Sequence, residues 1–145
     1  MITRNGFLKG LFISHVVYLG FLCTDAIGIV SSPKINSQEE LEMILTERRK
    51  LAGIEKEVVI LAKIDKYGNE IDHPLSAKLG DKKYGILLGP EWGRNVNTLD
   101  HELYHIADGH CDAEMEVNNR FLRFLQYFYL HEPQAILYST YGIKL

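Results

Sequence analysis

Asp100-His101-Glu102-Leu103-Tyr104-His105-Ile106 carries the pattern H-E-x-x-H, and the rest of the chain is read outward from it. Residues four apart on a helix share a face, so the imidazoles of His101 and His105 can meet on one Zn²⁺. Glu102 lies beside that face, where its carboxylate can reach a water activated by the metal and act as general base. The pattern needs a helix, and its surroundings predict one. Asn97 or Thr98 is expected to cap the N-terminus, Asp100 suits the positive end of the dipole, and Gly109 is a natural residue to follow the last turn. Leu99, Leu103 and Ile106 fall at i, i+4 and i+7, an apolar stripe roughly opposite the histidines. One face is expected to pack and the other to bind.

Catalytic zinc takes three protein ligands and leaves a fourth position open. Asp108, His110, Cys111 and Asp112 follow the motif closely and carry suitable atoms; Glu132 and His131 stand further on. The metzincin spacing H-E-x-x-H-x-x-G-x-x-H is not met, because Asp108 and Cys111 occupy the positions that need glycine and histidine. Asp108, three residues after His105 on the same straight helix, cannot easily complete a tetrahedron. Its expected role is to orient a histidine N–H. Cys111 reads either as a soft ligand or as a small buried hydrophobe.

Before the motif, Ser37-Gln38-Glu39-Glu40 is a capping box, and Leu41, Ile44, Leu45 and Leu51 predict a helix over 37–52 that ends at Gly53. Residues 57–64 are β-branched and predict a strand, closed by the turn signal Lys66-Tyr67-Gly68-Asn69. A second strand is expected over Tyr84–Leu88, with an irregular surface connection from His73 to Gly80 that has room for another short strand. After Gly109-His110-Cys111-Asp112 a long helix is expected. Val117, Phe121, Phe124, Leu125 and Phe128, widened by Leu122 and Leu130, predict a face that packs beneath the site. Pro133 disfavours helical geometry in the residue before it, so Glu132 is expected at a bend or at the start of a new turn.

Glu132-Pro133-Gln134-Ala135-Ile136-Leu137-Tyr138-Ser139 has the form E-x-x-A-x-x-aromatic-small. Together with the upstream H-E-x-x-H it resembles the gluzincin metallopeptidases, particularly the small minigluzincins, whose third zinc ligand is a Glu on a later helix. The resemblance covers roughly residues 84–139. It departs where Ile136 stands in place of the Asn or Asp often found four residues after the glutamate. It implies that Glu132 completes a zinc site with His101 and His105, and that Glu102 is the catalytic base of an endopeptidase acting on a peptide or protein substrate. It also implies a small α+β zincin-like domain: an N-terminal helix, a short mixed β-sheet, the active-site helix and a C-terminal glutamate helix. An edge strand, Tyr84–Leu88, would pair with the extended substrate backbone. Tyr138, Tyr141, His110 and His131 are all candidates for the further donor to the oxyanion.

The chain has 145 residues, 46% of them hydrophobic, which suits one small domain with its own core. Its sixteen Lys and Arg are spread without a basic cluster, which leaves no electrostatic footprint for nucleic acid. Arg4 and Lys9 precede an apolar run over residues 11–22, and Ala26-Ile27-Gly28 resembles a small-x-small cleavage site. Export is therefore expected, with residues 1–28 as a signal peptide and 29–145 as the metallopeptidase domain. An uncleaved anchor, associating with a membrane through residues 11–22, is the alternative, as is a buried N-terminal helix. Cys23 follows Leu22 where lipid attachment would want a small residue. Two cysteines, Cys23 and Cys111, give no disulfide framework. Two further readings are a zinc-binding domain without turnover and a membrane-anchored interaction domain.

Overall fold

The computed structural model describes residues 4–61, 73–89, 91–112 and 119–144, with side chains described from residue 14 onward except for Arg120. The elements that position the site are α1 (Arg4–Ser31), α2 (Gln38–Leu51), β1 (Glu57–Ile60), β2 (Leu75–Gly80), β3 (Lys83–Leu87), α3 (Val96–Ala107), α4 (Arg120–Gln126) and α5 (Glu132–Tyr141). The architecture is α+β. Residues 62–64 of the first expected strand, its following turn signal and Val117 lie outside the described residues.

Helix α1 has 28 residues, about 42 Å at 1.5 Å per residue. Its Ser14–Ser31 portion is long and apolar enough to cross a membrane. The cleavage point expected after Gly28 falls inside this helix. There α1 approaches α3 and α5 so closely that a Cβ on Gly28 would lie 2.8 Å from Asn97 Oδ1 and 2.9 Å from Thr140 Oγ1. The linker after it is pinned to the start of α3, because the Val96 N–H donates to the Pro33 carbonyl and the Ile35 N–H to that of Arg94.

Ser37 Oγ accepts from the Glu40 N–H, and the Glu40 carboxylate reaches back to the Asn36 N–H at 2.8 Å. These bonds satisfy donors that a helix N-terminus leaves open, and α2 begins where the capping box predicts. Leu41 and Leu45 are buried, whereas Leu51, in the last turn, is exposed. Gly53 follows at φ 70°, the left-handed conformation that glycine takes without steric cost.

The sheet runs β1-β3-β2, with β1 parallel and β2 antiparallel to β3. The second predicted strand is thus the central one, which corrects its expected role as the substrate-pairing edge. Residues 84–87 are all buried, as suits a strand with neighbours on both edges and cover on its faces. The edge beside the metal helix is β2, formed from the connection that the sequence shows as irregular. Leu41, Ile86, Leu88, Leu99, Leu103 and Ile106 meet in one core between α2, the sheet and α3.

Beyond α3, Asp112 clasps the sheet. Its carboxylate takes Lys78 Nζ at 2.8 Å, Lys56 Nζ at 3.1 Å and the buried Tyr84 hydroxyl at 2.9 Å. Hydrogen bonding from Lys78, with Lys56 and Tyr84 adding to it, holds its pKa down at about 2 against the effect of burial.

The apolar stripe expected to pack beneath the site does not do so. Phe121, Leu122, Phe124 and Leu130 are exposed, and Leu125 and Phe128 are half-buried. The helix is not one continuous α-helix, since Tyr127–His131 forms a π-helical turn between α4 and α5. The extra residue of such a turn rotates the residues after it by roughly 100° relative to a straight α-helix; Phe121, Leu122 and Phe124 precede it, and their exposure belongs to α4 itself.

Candidate metal centre

Asn95 opens α3. Its side chain accepts from the Thr98 N–H at 2.9 Å and donates to the Trp92 carbonyl at 2.9 Å. The cap is therefore two residues earlier than the nearer expected one, and Asn97 is left to face Gly28 of α1. Gly109 takes φ 76° just past the helix, as expected. Between these ends Leu99, Leu103 and Ile106 are buried in the core, which leaves His101 and His105 on the opposite side.

His101 Nε2 and His105 Nε2 stand 3.2 Å apart. Glu132 joins them, with Oε2 at 3.4 Å from His101 Nε2 and Oε1 at 3.3 Å from His105 Nε2. Zinc at 2.0–2.1 Å from three tetrahedral donors requires the donors to lie about 3.3–3.4 Å from one another. The two contacts to Glu132 use its two different oxygens; with one atom from each residue the three donors lie within 4.8 Å of one another, a group that could hold a metal ion. Glu132 Oε1 is also a buried acceptor without a hydrogen-bond partner, which a cation at this point would satisfy. Although burial alone would raise its pKa, the two histidines hold the Glu132 carboxyl well below the usual carboxylate range. Burial would likewise lower His101, yet Glu132 and Glu102 raise it to about 9.

Glu132 reaches this point because of how α5 begins. It is the first residue of α5, its N–H closes the π turn onto the Tyr127 carbonyl, and Pro133, which has no N–H to donate, comes next. The adjacent His131 turns instead to His110, with the two rings stacked at 3.8 Å and an interplanar angle of 2°. Gln126 Nε2 lies 3.2 Å from His131 Nε2. Of the alternative ligands, His131 and His110 form this stack, Cys111 is buried with Sγ 3.6 Å from Ser76 Oγ, and Asp112 belongs to the sheet clasp. Asp108 does orient a histidine, but that histidine is His110, at 3.1 Å, and His110 in turn meets His105.

Glu102 is buried beside the three donors. Burial pushes its carboxyl up, opposed by His101, His105 and a hydrogen bond to Ser76 on β2. A cavity of about 360 Å³ opens over His101, Glu102 and Glu132 and is walled by Tyr18, Asp25 and Tyr127. A second, of about 320 Å³, lies toward β2 and shares Glu102 and Tyr127 with the first. The carboxylate therefore stands between two clefts. Of the oxyanion candidates, Tyr138 packs against Tyr104 with ring centroids 5.0 Å apart, and Tyr141 is exposed.

Tyr127, which stacks on His105 at 6.0 Å and 15°, escapes sequence reading because the π turn sets its direction. Tyr18 and Asp25 escape it because an apolar N-terminal run with small residues after it has the form of a leader. One signal was present: between Lys9 and Lys34, Asp25 is the only Asp, Glu, Lys or Arg. Burial pushes its carboxyl up, while His101 and Asn97 act against that shift.

Comparison of the chain with protein-family models, with curated proteins and with solved structures finds no match. The chemical reading of the site rests on its own geometry: three donors that could hold a metal ion, one more carboxylate beside them, and open volume on both sides.

Proposed function

We propose that the protein is a zinc-dependent endopeptidase of gluzincin type, with His101, His105 and Glu132 as metal ligands and Glu102 as general base. The observation that carries this reading is the group of His101, His105 and Glu132, with donor atoms within 4.8 Å of one another, and the buried Glu102 carboxylate in the same cavity. Bound zinc supplies a Lewis acid that polarises a carbonyl and makes water acidic enough to lose a proton near neutral pH. Glu102 takes that proton on its carboxylate and later returns it to the nitrogen of the leaving amine. Its burial suits the exchange, since a carboxyl raised above its ordinary value is a better proton acceptor and then a competent donor.

The substrate is an extended peptide pairing with β2. This strand is the sheet edge next to the metal helix, and Ser76 on it bonds Glu102. Backbone hydrogen bonds to such an edge give affinity with little demand on sequence. The N-terminal helix serves as an export signal or a membrane anchor, and at Gly28 it lies close against α3 and α5. Exposed Val16, Val17, Leu19 and Leu22 on α1, with Phe121 and Phe124 on α4, form apolar faces suited to membrane association. The protein is exported or held at a membrane by this segment.

Glu102→Gln keeps shape and hydrogen bonding and removes the base. It is expected to keep zinc and lose chelator-sensitive cleavage of denatured casein by about 10²–10⁴-fold. Wild-type protein with full zinc occupancy and no such cleavage would instead favour a metal-binding domain without turnover.

A further inference from the structure

Helix α1 lays one face along the cavity of about 360 Å³ that opens over the metal site. Tyr18, Asp25 and Ile29 stand at i, i+7 and i+11, a spacing that returns to the same side of a helix, and all three line that cavity. Gly28, one turn after Asp25, lets α1 come this close, since a Cβ there would lie 2.8 Å from Asn97 Oδ1.

The wall carries acceptors and ring faces and, among the described residues, no Lys or Arg. Tyr18, Trp92, Tyr127 and Phe128 supply the rings, with Tyr18 and Phe128 packed edge to face at 5.8 Å. Thr98, also in the wall, adds a buried hydroxyl without a hydrogen-bond partner. A divalent ion on His101, His105 and Glu132 offsets the charges of Glu132 and Glu102, and Asp25 is left over. None of the ion pairs among the described residues engages it. Burial disfavours such a lone carboxylate, a cost that a cation beside it offsets. Aromatic faces attract cations as well. We propose that this cavity recognises a cationic group of the substrate, a Lys or Arg side chain or a free α-ammonium, with Asp25 as the specificity-determining residue. The inference rests on the zinc reading above and names the class of peptide that the site takes.

Trp92 is the only tryptophan of the chain, so its fluorescence reports occupancy of the cavity it lines. The test uses zinc-loaded, full-length Glu102→Gln, which is expected to hold a peptide without cutting it. The probes are end-blocked alanine pentapeptides with one central arginine, norleucine or glutamate, and the norleucine peptide with its α-amine free. The arginine peptide is expected to bind about 10–100-fold more tightly than the blocked norleucine peptide, the scale of one hydrogen bond to a charged group. The glutamate peptide is expected to bind worst. If the unblocked norleucine peptide binds as tightly as the arginine peptide, the cation is the α-ammonium; if it binds as weakly as its blocked form, the cation is the side chain.

Asp25→Asn in the same background is expected to keep its zinc and to abolish the preference for arginine over norleucine. Asp25→Lys is expected to reverse the order in favour of glutamate, which misfolding cannot produce. Equal affinity, or none, for the three blocked peptides overturns the proposal, and so does an Asp25→Asn variant that weakens all three alike. Charge-selective binding by a protein whose wild type cuts no peptide overturns the peptidase reading and leaves the cation site standing. Wild-type protein that takes up no zinc overturns the metal reading, and this role with it.

Discussion

His105 Nδ1 stands 2.9 Å from His110 Nδ1, and the other ring nitrogen of His110 stands 3.1 Å from Asp108 Oδ2. If His105 gives its Nε2 lone pair to a metal, its Nδ1 must carry the proton and donate it. His110 then accepts at Nδ1 and donates from Nε2 to Asp108. One tautomer is consistent along the whole chain. Burial, with His131 and His105 nearby, lowers His110 to about 4, so it stays neutral near pH 7 as this arrangement requires.

His110→Ala removes the acceptor for the His105 N–H. Zinc affinity, read by chelator competition, is expected to fall about 10–100-fold. Asp108→Asn keeps an acceptor oxygen toward His110 and is expected to cost less than His110→Ala. Equal affinity in His110→Ala and wild type would separate this chain of rings from the metal site.

Asp112 makes the clasp pH-dependent in a definite direction. Its carboxyl lies at about 2 in the folded protein, below its unfolded value. The stabilisation is therefore fully present above about pH 4 and is lost as the pH falls through about 2. The group is largely solvent-screened, so the expected cost of Asp112→Asn near pH 6 is about 1 kcal/mol, or roughly 2–4 °C in Tm. Thermal melts of both proteins with chelator present should converge toward pH 2. A Tm difference that does not change between pH 6 and 2 would contradict the ion-pair account.

Helix α2 was legible because its capping box and its 3.6-residue stripe act locally, and α3 because Leu99, Leu103 and Ile106 leave the histidines a free face. The bond network at Ser37 and Glu40 depends on neighbours four residues away at most. Strand order was not legible, for Tyr84–Leu88 reads the same at an edge or in the centre until β2 pairs with it. Phe121 and Phe124 lie at helical spacing on α4 yet face outward, because periodicity places residues on one face without saying whether another element covers it. Asp25 was missed for another reason. An apolar helix docked on a domain and an apolar leader share one composition, so the approach of α1 to α3 and α5 at Gly28 is a tertiary contact that composition does not reveal.

The central claim is that His101, His105 and Glu132 hold one metal ion. The most direct measurement is zinc per chain by elemental analysis of dialysed full-length protein, wild type beside Glu132→Ala and Glu102→Gln. The account predicts one zinc per chain in wild type and in Glu102→Gln, with loss in Glu132→Ala. Full zinc content in Glu132→Ala, with loss in His131→Ala or His110→Ala, would contradict it.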